Sequence, residues 1–137
     1  MKSILAFLIC ITMLLPFIPQ FALQMKNDRN MDRVDTIVNA VKEEARQEGY
    51  FTGSMIGRMK SDIMALGFKE DEINIDVTTS PKYRIESFDS RELINFDVSI
   101  VIEKKIAANR LFGISDEDNK GIYHVKGAVT SERLPSV

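Results

Sequence analysis

The sequence predicts an α+β fold: an N-terminal transmembrane helix that runs into an amphipathic helix, then a second short helix and a small antiparallel sheet of about three strands. Three observations lead to this prediction. One apolar run, Ile4 to Leu23, contains no charged side chain. Apolar side chains then recur every three or four residues over about 30–67, which is the period of a helix. From residue 73 onward the period changes to two, which is the period of a strand.

The apolar run is long enough to cross a bilayer. As a helix, its 20 residues would extend about 30 Å, the thickness of the hydrocarbon core. We therefore expect residues 1–24 to be a membrane anchor. A cleaved signal peptide is the alternative, because Lys2 supplies a positive start. If Ala22 ended such a peptide, however, Gln20 would stand where the cleavage site needs a small residue.

Pro16 and Pro19 fall inside the apolar run and predict a kink, because each proline lacks a backbone donor and crowds the preceding turn. Basic residues flank both ends of the run, with Lys2 on one side and Lys26 and Arg29 on the other. These charges specify the orientation only weakly. The signal-like layout favours a C-terminal domain on the outside of the cell.

The helix after the anchor has one narrow apolar stripe, formed by Val34, Val38, Val41 and Ala45. Two interpretations fit a stripe of this width. The four side chains can pack into the core of their own domain, or they can pack against copies of the chain or a partner helix. The second interpretation makes them a candidate subunit-packing face. Gly49 is expected to end the helix.

A second, shorter helix is predicted in the stretch SMIGRMKSDIMAL, with Thr52 or Ser54 as its N-cap. Gly67 is expected to end it. Its apolar positions predict a buried face made of Met55, Met59, Ile63 and Leu66.

Three strands are predicted at about 73–79, 93–104 and 121–131. In the middle strand, one face is apolar: Phe96, Val98, Ile100 and Ile102. No helix connects the strands, so they should pair antiparallel, with one face covered by helix. Together with the helices they would form a single domain over residues 25–137.

Two connecting segments carry isolated apolar side chains. Residues 82–92 are polar and mixed, and Tyr83, Ile85 and Phe88 are the expected anchors of an irregular loop there. Between the last two strands, Leu111 and Phe112 are expected to fold back onto the core.

The composition argues against several classes of function. Of the 18 basic residues one is Lys2, so the remainder of the chain has 17 basic against 20 acidic residues and no visible basic patch. Nucleic acid is therefore not an expected partner. The single cysteine, Cys10, lies in the apolar run, and the single histidine, His124, is predicted on the surface. A single histidine and a single cysteine inside the apolar run exclude most zinc sites and Cys-His nucleophiles. We predict no catalytic, cofactor-binding or metal-binding residue and no enzymatic activity.

The acidic stretch that begins at Asp116 resembles the opening of a calcium loop, because Asp118 and Gly121 follow at suitable spacings. Lys120 occupies a ligand position, and Gly127 stands where the closing glutamate belongs. An EF-hand is thus excluded. A solvated turn is the main interpretation, and a looser calcium site is the alternative.

The order of these segments resembles type IV pilin-like subunits, and more closely the TadE-like minor pseudopilins of tight-adherence systems and short relatives on Gram-positive mobile elements. The apolar helix runs into a segment ending EEARQEGYF, followed by the strand INFDVSIVI, the turn RLFG and a last strand ending AVTSE. The family's precursors carry a glycine before the cleavage site and a glutamate soon after it, whereas here neither residue type occurs before Glu43. The resemblance does not carry prepilin-peptidase processing over to this chain.

The resemblance implies a non-enzymatic, single-pass accessory subunit of a surface pilus, secretion or conjugation apparatus. Its expected partners are the membrane, other pilin-like subunits or assembly-platform proteins, and further copies of itself. The alternative is a secreted or tethered small binding domain whose signal peptide is cleaved.

Overall fold

A computed structural model describes residues 1–85 and 89–135 and confirms the α+β layout. The three strands form one antiparallel sheet in the order β1-β2-β3. Short 3-10 turns occupy Glu70–Glu72, Ser90–Glu92 and Asn109–Phe112. The helices and strands are α1 (Lys2–Leu14), α2 (Phe17–Glu48), α3 (Gly53–Ala65), β1 (Ile73–Val77), β2 (Leu93–Ile102) and β3 (Gly121–Thr130).

The chain forms two compact units. The first consists of Met1–Asn30 and Ile102–Gly121, and the second of Met31–Val101 and Ile122–Val137. Both units therefore contain residues of α2. The segment between β2 and β3, which the sequence predicts as part of a single domain, belongs to the first unit.

The core of the second unit is built from the residues that the sequence periodicity selects. The β1–β2 register pairs Ile73 with Ile100 and Ile75 with Val98, so these side chains share one face of the sheet. Helix α3 packs against β1. The fully or nearly fully buried apolar side chains are Val34, Val38, Val41, Ala45, Phe51, Met59, Ile63, Ile73, Ile94, Phe96, Val98 and Ile100.

Helix α3 begins as predicted. Thr52 is its N-cap, and the Thr52 hydroxyl accepts a hydrogen bond from the backbone N–H of Met55 at 3.3 Å. This bond satisfies one of the four amide groups that a helix N-terminus leaves without a partner. Gly67, with a φ of 104°, follows the helix in a left-handed conformation that favours glycine.

Of the three expected loop anchors, Ile85 is wrong, Tyr83 is half-buried and Phe88 lies outside the described residues. Ile85 is exposed, whereas Tyr83 has the Arg133 guanidinium 5.3 Å from its ring centre. Leu111 and Phe112 do not fold back onto the core but are 81% and 66% exposed. Asn109 takes the buried place in that segment instead.

Gly49 joins the end of α2 to the chain after β1. Its N–H donates to the Ala45 carbonyl at 2.8 Å, and its own carbonyl accepts from Lys82 N–H at 2.9 Å. The φ of Gly49 is 87°, a conformation that costs other residues about 1–2 kcal/mol. A Cβ at this position would also stand closer than 3.0 Å to the Lys82 carbonyl oxygen.

We therefore expect Gly49→Ala to lower the free energy of unfolding of the second unit by about 3 kcal/mol. The cost of the positive φ and the cost of the overlap between the added Cβ and the Lys82 carbonyl oxygen both contribute. Thermal unfolding of the full chain in detergent, followed by circular dichroism, measures the loss. Gly57→Ala is the matched control: it lies within α3 with no atom within 4 Å of an added Cβ. Alanine there should stabilise the helix slightly. Equal melting midpoints for the two variants would contradict the role assigned to Gly49.

Candidate membrane anchor and exposed sheet face

The apolar run forms α1 and the first turns of α2, and its side chains face outward. No residue of α1 is buried. Of the described helices, only the stretch Lys2–Glu48 is long and apolar enough to cross a membrane, and none of its apolar window is buried inside the chain. A signal sequence near the N-terminus has the same length and apolar composition.

The prolines interrupt the helix where a kink is predicted. Helix α1 ends at Leu14, and α2 begins again at Phe17, immediately after Pro16. Leu15 N–H still donates to the Ile11 carbonyl at 2.9 Å, so the break is short. Pro19 lies in the first turn of α2, where a backbone N–H has no intrahelical partner to lose.

Gln20, the polar side chain near the end of the apolar run, is bonded to a distant segment of the chain. Its Nε2 donates to the carbonyl of Lys105 at 2.9 Å, and its Oε1 accepts from the N–H of Ala107 at 2.8 Å. Two helical turns later, Asn27 Nδ2 donates to the carbonyl of Lys104 at 2.8 Å. One face of the helix thus holds the backbone of residues 104–107.

Asn119 closes the same segment from its other end. This side chain is 1% exposed. Its Nδ2 donates to the Ile106 carbonyl at 2.9 Å, and its Oδ1 accepts from the N–H groups of Ile106 at 2.8 Å and Lys105 at 3.2 Å. Local sequence patterns did not predict these hydrogen bonds of Gln20, Asn27 and Asn119. For Gln20 the available signal was a carboxamide side chain inside an apolar run, which needs a partner when it is removed from water. Asn27 and Asn119 lie in polar stretches and gave no such signal.

In the acidic turn that begins at Asp116, the carboxylates of Asp116 and Asp118 accept hydrogen bonds from side chains of the same segment. Asp116 accepts hydrogen bonds from Asn109 at 2.9 Å and Arg110 at 3.0 Å, and these bonds hold the pKa of the Asp116 carboxyl below its usual value. Asp118 accepts from the Ser115 hydroxyl at 2.6 Å. The described residues include no group of three or more His, Cys, Asp or Glu side chains placed to hold a metal ion.

The candidate subunit-packing face lies in the core of the second unit. Val34, Val38 and Ala45 are 0% exposed and Val41 is 3% exposed. Core packing, the first of the two interpretations of the stripe, therefore describes these side chains. They offer no exposed surface to another subunit.

The other face of the sheet is polar and open. Asp76 and Asp97 stand directly opposite each other on β1 and β2, so two carboxylates share this face. His124 Nδ1 lies 2.8 Å from Asp97 Oδ1, which gives one of the two carboxylates a hydrogen-bonding partner. Residues of all three strands and from both faces of the sheet line an open groove of about 730 Å³: Asp76, Val77, Thr78, Asn95, Phe96, Asp97, Lys126, Gly127 and Ala128.

Tyr123 connects β3 to α2 in the second unit. Its hydroxyl lies 3.1 Å and 3.0 Å from the two carboxylate oxygens of Asp35 and donates to that group. Burial raises the pKa of Tyr123, and the adjacent Asp35 carboxylate raises it further, because both disfavour the phenolate. The bond is structural, since it ties the last strand to the long helix.

Comparison with protein-family models, with curated proteins and with solved structures found no match.

Proposed function

We propose that this chain is a non-enzymatic, single-pass membrane protein that serves as an accessory subunit of a pilus, secretion or conjugation apparatus. The apolar helix stays in the membrane, and the domain that carries the sheet is displayed outside the cell. Membership in an assembly follows from the resemblance to TadE-like minor pseudopilins. Retention of the helix is supported by one observation, the pair of hydrogen bonds between Gln20 and the backbone at Lys105 and Ala107.

This observation bears on the choice between an anchor and a signal peptide. Cleavage after Ala22 would remove Gln20 and leave the Lys105 carbonyl and the Ala107 amide without the partner they have here. Lys105 is exposed and Ala107 is half-buried, so the loss amounts to the net contribution of such hydrogen bonds, about 0.5–1.5 kcal/mol each. A signal peptide is discarded before the mature domain is complete, so it is not expected to hold a part of the mature fold. We call the two hydrogen bonds from Gln20 to the backbone of Lys105 and Ala107 the Gln20 clamp. This clamp favours an uncleaved helix.

Burial of the stripe on α2 limits where another subunit can bind. Since Val34, Val38, Val41 and Ala45 face the core, contacts with other subunits must use other surfaces. Most of the exposed large apolar side chains of the described residues lie within Ile4–Leu23. In a membrane, such a surface is covered by lipid or by neighbouring helices. We place the subunit contact in this part of the helix.

The mass of the mature protein tests the anchor. We expect the full-length chain, recovered from membranes, to keep its N-terminal residues and to remain in the membrane after alkaline carbonate extraction. A mature form shorter by about 22–25 residues and free in the medium would contradict the proposal, because that is the length a signal peptidase removes.

The assembly is tested separately on the retained chain. Full-length protein extracted in mild detergent should co-purify with other single-span envelope proteins or with a polytopic platform protein. A chain that is retained in the membrane but always isolated as a monomer would keep the anchor and remove the assembly role.

The open groove on the sheet favours a second candidate function. A small secreted or tethered binding domain would use the surface between Asp76, Asp97 and Lys126 to hold a polar ligand. The same mass measurement separates the secreted form of this candidate from the anchored subunit.

A further inference from the structure

The segment Ile102–Gly121 lies against the helix in a defined direction. Its residue Lys104 is bonded at Asn27, and Lys105 and Ala107 are bonded at Gln20. These two helical positions are seven residues apart, or about 10 Å along the axis. The segment therefore runs from the polar part of α2 toward the apolar run.

Leu111 and Phe112 form the tip of this segment, which comes next in the chain. Leu111 and Phe112 follow Ala107 by only four and five residues, so they lie within about 18 Å of the Gln20 clamp even in a fully extended chain. Gln20 itself is three residues before the end of the apolar run at Leu23. The tip is thus tethered within this distance of the part of the helix where the run ends and the charged residues begin.

The tip is a built structure. Asn109 is 5% exposed, and its Nδ2 donates to the carbonyl of Ile114 at 3.0 Å and to Asp116 at 2.9 Å. The N–H of Ile114 donates back to the carbonyl of Asn109 at 2.9 Å, and Gly113 adopts a φ of 70° to make the turn. With both ends of the turn fixed, Leu111 and Phe112 project outward.

Two neighbouring large apolar side chains are thereby exposed beside an apolar helix. Exposed apolar patches of this kind indicate a protein or membrane contact. A membrane contact fits better here, because the segment is bonded to the proposed anchor itself. Basic side chains occur in the same segment, at Lys104, Lys105 and Arg110, and on the helix just after the apolar run, at Lys26 and Arg29. Long basic side chains can keep their stems in apolar surroundings and their charges among headgroups.

The charges of the segment favour apolar insertion over attraction to anionic lipid. Lys104, Lys105, Arg110 and Lys120 are balanced by Glu103, Asp116, Glu117 and Asp118, so the segment is neutral overall. Arg110 is moreover paired with Asp116.

We propose that Leu111 and Phe112 insert into the membrane interface beside the end of the apolar helix, so that the chain contacts the same bilayer twice. This inference rests on the membrane anchor proposed above. The first contact is the spanning helix, and the second is a shallow apolar tip supported by Asn109. The tip would fix the rotation of the helix about its axis, because the helix face that carries Gln20 and Asn27 must remain on the side of the tip.

Fluorescence quenching by spin-labelled lipid tests the second contact. The full chain carrying Cys10→Ser receives one new cysteine, which is labelled with an environment-sensitive dye, and is reconstituted in neutral phosphatidylcholine vesicles. The test site is Phe112→Cys, and the water-facing control in the same segment is Glu117→Cys. We expect quenching by a lipid labelled near the headgroup to be about threefold stronger at residue 112 than at 117, as for a shallowly inserted side chain.

A third site separates the two proposals. Met13→Cys, at the middle of the apolar run, should be quenched by lipids labelled deep in the acyl chain. If residue 13 is quenched but residues 112 and 117 are quenched equally weakly, the anchor stands and the interfacial tip is refuted. If residue 13 is not quenched, the anchor proposal fails. Quenching at 112 only in vesicles containing anionic lipid would also refute the tip as proposed, because apolar insertion does not require negative charge.

Discussion

Replacing Val38 with aspartate is expected to unfold the second unit. Val38 is 0% exposed and belongs to the core cluster that includes Met59, Ile63 and Val98. A carboxylate at this site would lose its hydration among apolar side chains, and the apolar contacts of valine would be lost too. We expect the free energy of unfolding to fall by at least about 4 kcal/mol, which corresponds to a melting point lower by at least about 15 °C.

Ala40→Asp provides the control for this variant. It adds the same charge to the same helix, but at an exposed position. Its cost should be limited to the lower helix propensity of aspartate, about 0.7 kcal/mol. Circular dichroism of the full chain in detergent measures both variants. If Val38→Asp melted like wild type and lost only its association with other subunits, the stripe would be a subunit-packing face after all.

Two lysines in the centre of the apolar run are expected to abolish membrane integration. Met13 and Phe17 are four residues apart, and both are exposed on the helical stretch that begins at Lys2. At the centre of a spanning helix, each lysine costs about 2.5–3.5 kcal/mol of insertion free energy. The combined Met13→Lys and Phe17→Lys variant should therefore lose about 6 kcal/mol of insertion free energy and leave the carbonate-resistant membrane fraction.

Gln24→Lys is the control, since it places the same charge just beyond the apolar run, where a lysine reaches the headgroups. It should remain in the membrane fraction like wild type. A double-lysine variant that still resists carbonate extraction would show that the run does not have to cross the bilayer to hold the chain in the membrane.

Periodicity predicted the elements well because burial in this chain follows simple rules. The predicted strands at 73–79, 93–104 and 121–131 correspond to β1, β2 and β3, with ends that differ by at most two residues. Thr52 marked the start of α3 through its hydroxyl, and Gly49 and Gly67 marked turns through their positive φ values. Each of these features is decided within a few residues of sequence.

The features that the sequence did not predict depend on contacts between distant residues. Gln20 bonds to a segment more than 80 residues away, so no local pattern could indicate its partner. Leu111 and Phe112 look like core residues by composition, but the buried bonds of Asn109 turn them outward. The stripe at Val34 was predicted, but periodicity alone could not distinguish burial against its own sheet from burial against another chain.

The clamp at Gln20 also constrains how the protein is made. Its partner amide at Ala107 lies 87 positions further along the chain, and ribosomes add about 5–20 residues per second. The apolar helix is thus synthesised roughly 4–17 s before the segment that binds it. During this interval Gln20 has only water, lipid headgroups or the translocation machinery as hydrogen-bonding partners. Completion of the first unit is consequently one of the last steps in the synthesis of this protein, after most of the polypeptide has been translated.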